Sequence, residues 1–216
     1  MIIAKNIKFS YGHLKVLKDI SLKINKGEFI SIIGSSGAGK TTLLNILGTL
    51  QKLQYGSLKI NNQEIKNLND TQLSSFRNKH IGFVFQFHNL LPEFTVLENV
   101  CLPALINKGN KVKIEQKAKQ ILENLHMIDK INKKPNELSG GEQQRVSVAR
   151  SLINSPTILL ADEPSGNLDS KNANDLHNIL LKLNKEKQQT VVVITHNNDL
   201  AKLADRVIKI EDGKII

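Results

Sequence analysis

The stretch Gly34-Ser35-Ser36-Gly37-Ala38-Gly39-Lys40-Thr41-Thr42 constrains this chain more than any other. It fits G-x-x-x-x-G-K-[ST], a loop whose backbone N–H groups cradle phosphates. The flanks meet the same requirement. Phe29-Ile30-Ser31-Ile32-Ile33 is a short apolar β-rich run, and Leu43-Leu44-Asn45-Ile46-Leu47 opens an apolar pattern at 43, 47 and 50 with helical spacing. A strand feeding a glycine loop that opens a helix aims several N–H donors, and the helix's positive end, at one point. A polyphosphate suits that point. Lys40 would reach the β- and γ-phosphates, and the Thr41 hydroxyl would coordinate Mg²⁺.

Around this loop the chain reads as an α/β domain. Residues 1 to 33 read as β, with Ile20, Leu22 and Ile24 alternating against polar neighbours and a turn signal at Asn25-Lys26-Gly27. Further strands are expected at 56–60 and 80–85, the second ending on Gln86. From 87 to about 155 the character changes. Lys111 to Leu125 places Ile114, Ala118, Ile121, Leu122 and Leu125 on one helical face, which predicts a mostly helical lobe inserted into the core. The expected division is therefore a core of 1–86 and 156–216 and a helical portion of 87–155. The core resumes with the apolar run Pro156 to Ala161, then a helix at about 171–187. A strand at 190–195 is apolar enough to be buried on both faces, as in a parallel sheet. An Asp212-Gly213 turn between two short apolar runs predicts a terminal hairpin.

Ligands of open α/β sheets bind beyond the carboxyl ends of the strands. An apolar strand running into Asp162-Glu163 is a Walker B pattern, in which Asp162 holds Mg²⁺ and Glu163 polarises the attacking water as general base. An acidic pair after a strand also serves as a helix N-cap; the phosphate loop in the same chain favours the catalytic reading. Gln86 can ligate Mg²⁺ weakly through its carbonyl and leave easily, which suits a sensor. His196, at the end of the 190–195 strand, can place a hydrogen bond on a γ-phosphate and on the water held by Glu163. In isolation both would be ordinary polar residues at strand ends.

Leu138-Ser139-Gly140-Gly141-Glu142-Gln143-Gln144-Arg145 is the second distinctive stretch. Ser139 can cap a helix with an apolar face of Val146, Ala149 and Leu152, and Gly140 and Gly141 leave first-turn N–H groups open to a close ligand. One nucleotide does not need two such sites, so this one is expected to serve the nucleotide of another subunit. A glycine-loosened helix start is the plainer alternative.

Composition narrows the class. The 216 residues carry a formal charge of +10, but 26 of the 30 basic residues are Lys and they are spread along the chain. With two Tyr and no Trp to stack bases, a solvated lysine-rich surface is expected rather than a nucleic-acid partner. No apolar run reaches the roughly 18 residues of a membrane span, and the N-terminus lacks the pattern of a signal peptide. The single Cys101 cannot form an internal disulfide, which fits a reducing cytosol, and is expected to be a small, partly buried apolar residue.

Taken together, these residues resemble the ATP-binding-cassette (ABC) ATPases over nearly the whole chain. The phosphate loop at 34–42, Gln86 as the Q-loop, 138–145 as the signature motif and 158–163 as Walker B all match. So do Ser165-Gly166-Asn167-Leu168-Asp169 as the D-loop and His196 as the switch histidine. Tyr11 falls at the aromatic position that stacks on adenine in that family. The resemblance implies a P-loop NTPase core with a mainly parallel sheet, an N-terminal antiparallel β portion and an inserted helical subdomain. It also implies a head-to-tail dimer of two copies, each ATP lying between one phosphate loop and the other copy's Ser139-Gly140-Gly141. Gly166-Asn167-Leu168-Asp169 looks like the branch of lipoprotein-releasing, macrolide-export and cell-division ATPases, and 85–100 is especially similar to the lipoprotein-releasing subunits. An integral-membrane partner would dock on the segment after the Q-loop, with Phe87, Leu91 and Phe94 as its contacts, holding the chain at the cytoplasmic face of the inner membrane. The chain stops soon after the final turn, so a regulatory C-terminal extension is expected to be absent. A soluble ABC protein acting on DNA or ribosomes would carry a coiled-coil insertion or tandem cassettes, and neither is legible here.

Overall fold

In the computed structural model, which describes residues 1–107 and 109–216, two sheets face each other across the helix that follows the phosphate loop. The first is antiparallel, in the order β2-β1-β4-β5, from β1 (Ile2–Tyr11), β2 (Leu14–Ile24), β4 (Tyr55–Ile60) and β5 (Gln63–Glu64). The second has the order β10-β9-β3-β8-β7-β6. Its strands β3 (Phe29–Ile33), β6 (Ile81–Phe85), β7 (Ile158–Asp162), β8 (Thr190–Ile194) and β9 (Arg206–Glu211) pair in parallel, and β10 (Lys214–Ile215) closes one edge antiparallel to β9. The expected terminal hairpin is thus present, with its first strand built into the main sheet.

α1 (Lys40–Leu47) lies between the sheets. Leu43, Leu44, Ile46 and Leu47 are buried in one cluster with Ile7, Phe9 and Ile20 of the first sheet and Ile32, Leu160 and Ile194 of the second. On the other face of the parallel sheet, Phe29, Val84, Leu159, Ala161, Val191 and Val193 pack against α3 (Val96–Leu105), α4 (Lys111–Asn124), α5 (Gly140–Leu152) and α6 (Ser170–Lys187). Every residue of β8 is buried, because α1 and the first sheet cover one face and helices the other. The α4 face holds as expected: Ile114, Ala118, Leu122 and Leu125 are buried and Ile121 is half-buried.

Three helices go beyond the sequence reading. α2 (Asp70–His80) occupies the approach to β6, so His80 ends a helix rather than starting a strand. It buries no residue fully; Asn69 and Gln72 define it through a reciprocal capping box. α3 begins with a second such box, between Thr95 and Glu98. A short α7 (Asn198–Lys202) follows β8. Among the described residues no helix is long and apolar enough to cross a membrane.

Candidate nucleotide site

β3 delivers the chain into the 34–39 loop beyond its carboxyl end, and α1 begins at Lys40. Gly37, at φ +78°, has open space where a side chain would stand, leaving the loop accessible. Gly34 is needed for another reason: at φ +153° an added Cβ would collide with the backbone oxygen of Ile210 on β9. α1 stands apart from the other α-helices. Asn69, Thr95, Asn110, Ser139, Asp169 and Asn197 cap the N-termini of α2 to α7 with their side chains, whereas Gly39 gives α1 none. With no acidic residue in its first turn either, α1 leaves its terminal N–H groups to an external acceptor.

Lys40 is 7% exposed, and its ammonium donates to the backbone oxygens of Gly34 and Ser35, both at 2.8 Å. A buried cation holding only neutral carbonyls is well placed to exchange them for phosphate oxygens. Opposite it, β7 ends on Asp162, whose carboxyl pKa is raised by burial, partly offset by a hydrogen bond with Thr41 and by the charge of Lys40. Thr41 and Asp162 form an all-oxygen pair beside the loop, a donor set that suits Mg²⁺ sharing its remaining positions with phosphate.

Glu163 has the left-handed backbone value φ 45°, uncommon for a residue with a side chain. That turn swings its carboxylate toward the end of β8. There the His196 backbone N–H donates to Oε2 at 3.2 Å, and His196 Nε2 lies 3.2 Å from Oε1. The latter approach is poorly directed, leaving Oε1 buried and without a hydrogen bond. A buried acceptor left without a partner calls for one, and a held water would supply it. Ser36, Lys40, Thr41, Asp162, Glu163 and His196 line one cavity of about 370 Å³. Leu14 and Val16 of β2 form its apolar wall, a contribution that no motif signals.

Other expected site residues lie apart. Tyr11 is half exposed at the end of β1 with its ring edge-on to Phe9, outside the cavity lining. Gln86 also lies outside it: its Nε2 donates to Asn167 Oδ1 at 3.0 Å, and Asn167 Nδ2 returns a bond to the Gln86 carbonyl at 3.4 Å. Ser139 caps α5 in a reciprocal box with Glu142. The two glycines after it differ. Gly140 faces open space, whereas a Cβ on Gly141 would run into the Asn172 side chain of α6, so Gly141 is explained by helix packing within the chain. Phe87 is 71% exposed, and Leu91 and Phe94 are just over a third exposed. Asn99 secures this segment with bonds to Leu91, Phe94 and Thr95, and Arg150 donates to the carbonyls of His88 and Asn89. Cys101 is buried more deeply than expected, and burial pushes its thiol up to about 11, which disfavours the reactive thiolate.

A glycine loop on an uncapped helix, facing an acidic pair at the end of a parallel strand that β8 separates from β3, defines a phosphate-loop nucleotide-binding domain. The ABC transporter family description matches residues 17–166, and the chain belongs to that family. It is 54% identical over 213 residues, covering 99% of this chain and 97% of the relative, to the lipoprotein-releasing system ATP-binding protein LolD of Cytophaga hutchinsonii. Identity to the LolD protein of Bacteroides thetaiotaomicron is 52% over 215 residues, covering 100% of this chain and 99% of the relative. Among solved structures, a dimeric post-hydrolysis state of the ATP-binding cassette MJ0796 bound to ADP and Pi superimposes with a TM-score of 0.91 at 42% identity, covering 100% of this chain and 96% of that one.

Proposed function

We propose that this chain is the ATP-hydrolysing subunit of a complex that releases lipoproteins from the inner membrane, acting from the cytoplasmic face through an integral-membrane partner. The observation that carries the hydrolytic part is the Glu163 carboxylate, turned by its left-handed backbone to His196 beside Asp162 and Lys40. The lipoprotein assignment is supported by the LolD relatives over essentially the whole chain.

In this reading the N–H groups of 34–42 and Lys40 bind the polyphosphate, with Tyr11 against the base. Mg²⁺ would be held by Thr41 and Asp162, with Gln86 joining once it releases Asn167, and would neutralise charge on the phosphate oxygens. Glu163 orients the attacking water and takes its proton, and His196 holds the Glu163 carboxylate and contacts the γ-phosphate. Ser139, Gly140 and Gly141 close the nucleotide site of a second copy, so the working unit is a dimer. Residues 87–155 act as a helical portion set on the core of 1–86 and 156–216, with Phe87, Leu91 and Phe94 meeting the membrane partner.

Depletion of the chain in its host tests this. Acylated lipoproteins should accumulate in the inner membrane, and the catalytically impaired variant Glu163→Gln should fail to restore their release. Normal lipoprotein distribution on depletion would overturn the transport assignment.

A further inference from the structure

α6 turns Ala173, Leu176, Leu180 and Leu183 toward the core, and His177 interrupts that apolar face. His177 is 3% exposed, and its ring Nε2 lies 3.1 Å from Oγ of Ser165, a residue 8% exposed. Burial pushes the imidazole pKa below its ordinary value, and the charge of Asp199 offsets only part of this, so the ring is neutral at physiological pH. A leucine would fill the same position without a polar group to satisfy.

Ser165 is the centre of a small double turn. The Gly166 N–H donates to the Glu163 carbonyl at 3.0 Å, and the Leu168 N–H to the Ser165 carbonyl at 3.2 Å. At one end of this turn Glu163 holds its left-handed φ of 45°; at the other Asn167 is bonded to Gln86. A strained backbone persists only where its surroundings over-determine it. Among the described residues, His177 supplies the only side-chain hydrogen bond to Ser165.

We propose that His177 is a positioning residue for hydrolysis: by fixing Ser165 from behind, it keeps the 163–168 turn, and with it the Glu163 carboxylate, in register with His196 and the phosphate loop. This rests on the reading of Glu163 as the base. Neither His177 nor Ser165 lines the nucleotide cavity, so the effect falls on turnover rather than on ATP affinity.

The test measures steady-state ATP hydrolysis and melting temperature for His177→Leu, His177→Gln, Ser165→Ala and the His177→Leu/Ser165→Ala double variant. Loss of one hydrogen bond that aligns the reacting group should lower kcat about five- to tenfold in His177→Leu, with KM for ATP within about twofold. His177→Gln, which can still bond Ser165, should recover most of the rate, and the double variant should be no slower than the slower single one. A melting temperature held or raised in His177→Leu while kcat falls separates positioning from folding. The proposal is overturned if His177→Leu folds and turns over normally, if Gln falls as far as Leu, or if the double loss is the product of the single losses. Should His177→Leu fail to fold, Ser165→Ala decides: a normal kcat in that variant refutes the proposal. Failure of the underlying reading shows separately, as a Glu163→Gln variant that still hydrolyses ATP.

Discussion

Replacing Gly141 with alanine should destabilise the protein, although the position resembles an exposed helix start in sequence. The new Cβ would meet the Asn172 side chain, including its Cβ at 3.0 Å, which rotation of the amide alone cannot relieve. Asn172 is itself engaged, donating from Nδ2 to Asp169 Oδ2 at 2.6 Å and from its backbone to Oδ1 at 2.9 Å. Overpacking of this kind costs about 2 kcal/mol. For a chain of this size that is a fall of about 4–8 °C in melting temperature. Gly140→Ala is the control. The nearest atom to its Cβ is Leu168 Cδ2 at 4.0 Å, so stability should hold or rise by up to about 1 kcal/mol. Thermal unfolding of both nucleotide-free variants by circular dichroism is the assay. Equal melting temperatures, or a larger fall in Gly140→Ala, would refute the assignment of Gly141 to α5–α6 packing.

Lys40→Ala removes the cation seated against the loop carbonyls and should weaken ATP binding by about 3 kcal/mol, on the order of 100-fold; titration with a fluorescent nucleotide analogue measures it. Asp162→Asn should raise the melting temperature of the nucleotide-free protein at pH 7. The folded carboxyl has a raised pKa, so its ionisation disfavours the fold as pH rises through that value, and the gain should vanish below about pH 4, where both states are protonated. The same variant should lose Mg²⁺-dependent turnover. Asn99→Leu deprives backbone groups at 91–95 of a buried partner, which should cost about 3 kcal/mol and make that segment more sensitive to limited proteolysis. Co-purification of the membrane partner should fall with it.

The strands and the long helices were legible because their patterns are set by burial. β8 is apolar throughout and buried throughout, and α4 repeats its apolar residues at helical spacing. α2 was not legible, because with Leu73 and Phe76 only partly buried it carries almost no apolar stripe; its ends are fixed by caps. α3 was hidden by Pro103, which argues against a helix yet sits near its C-terminal end. The site divides in the same way. Local motifs located Lys40, Thr41, Asp162, Glu163 and His196, and the fold brings all five to one cavity. Leu14 and Val16 were missed because an apolar wall leaves no sequence pattern distinct from a strand. The bonds of Gln86 to Asn167 and of His177 to Ser165 join residues 81 and 12 apart, and pairing across such distances follows only from topology.

The central claim, that Glu163 is the base in a site completed by a second copy, is tested most directly by Glu163→Gln with ATP and Mg²⁺. Light scattering during size exclusion should show a stable dimer retaining two ATP per pair, with hydrolysis reduced at least about 100-fold. A variant that remains monomeric with ATP bound, or that turns ATP over at the normal rate, would contradict it.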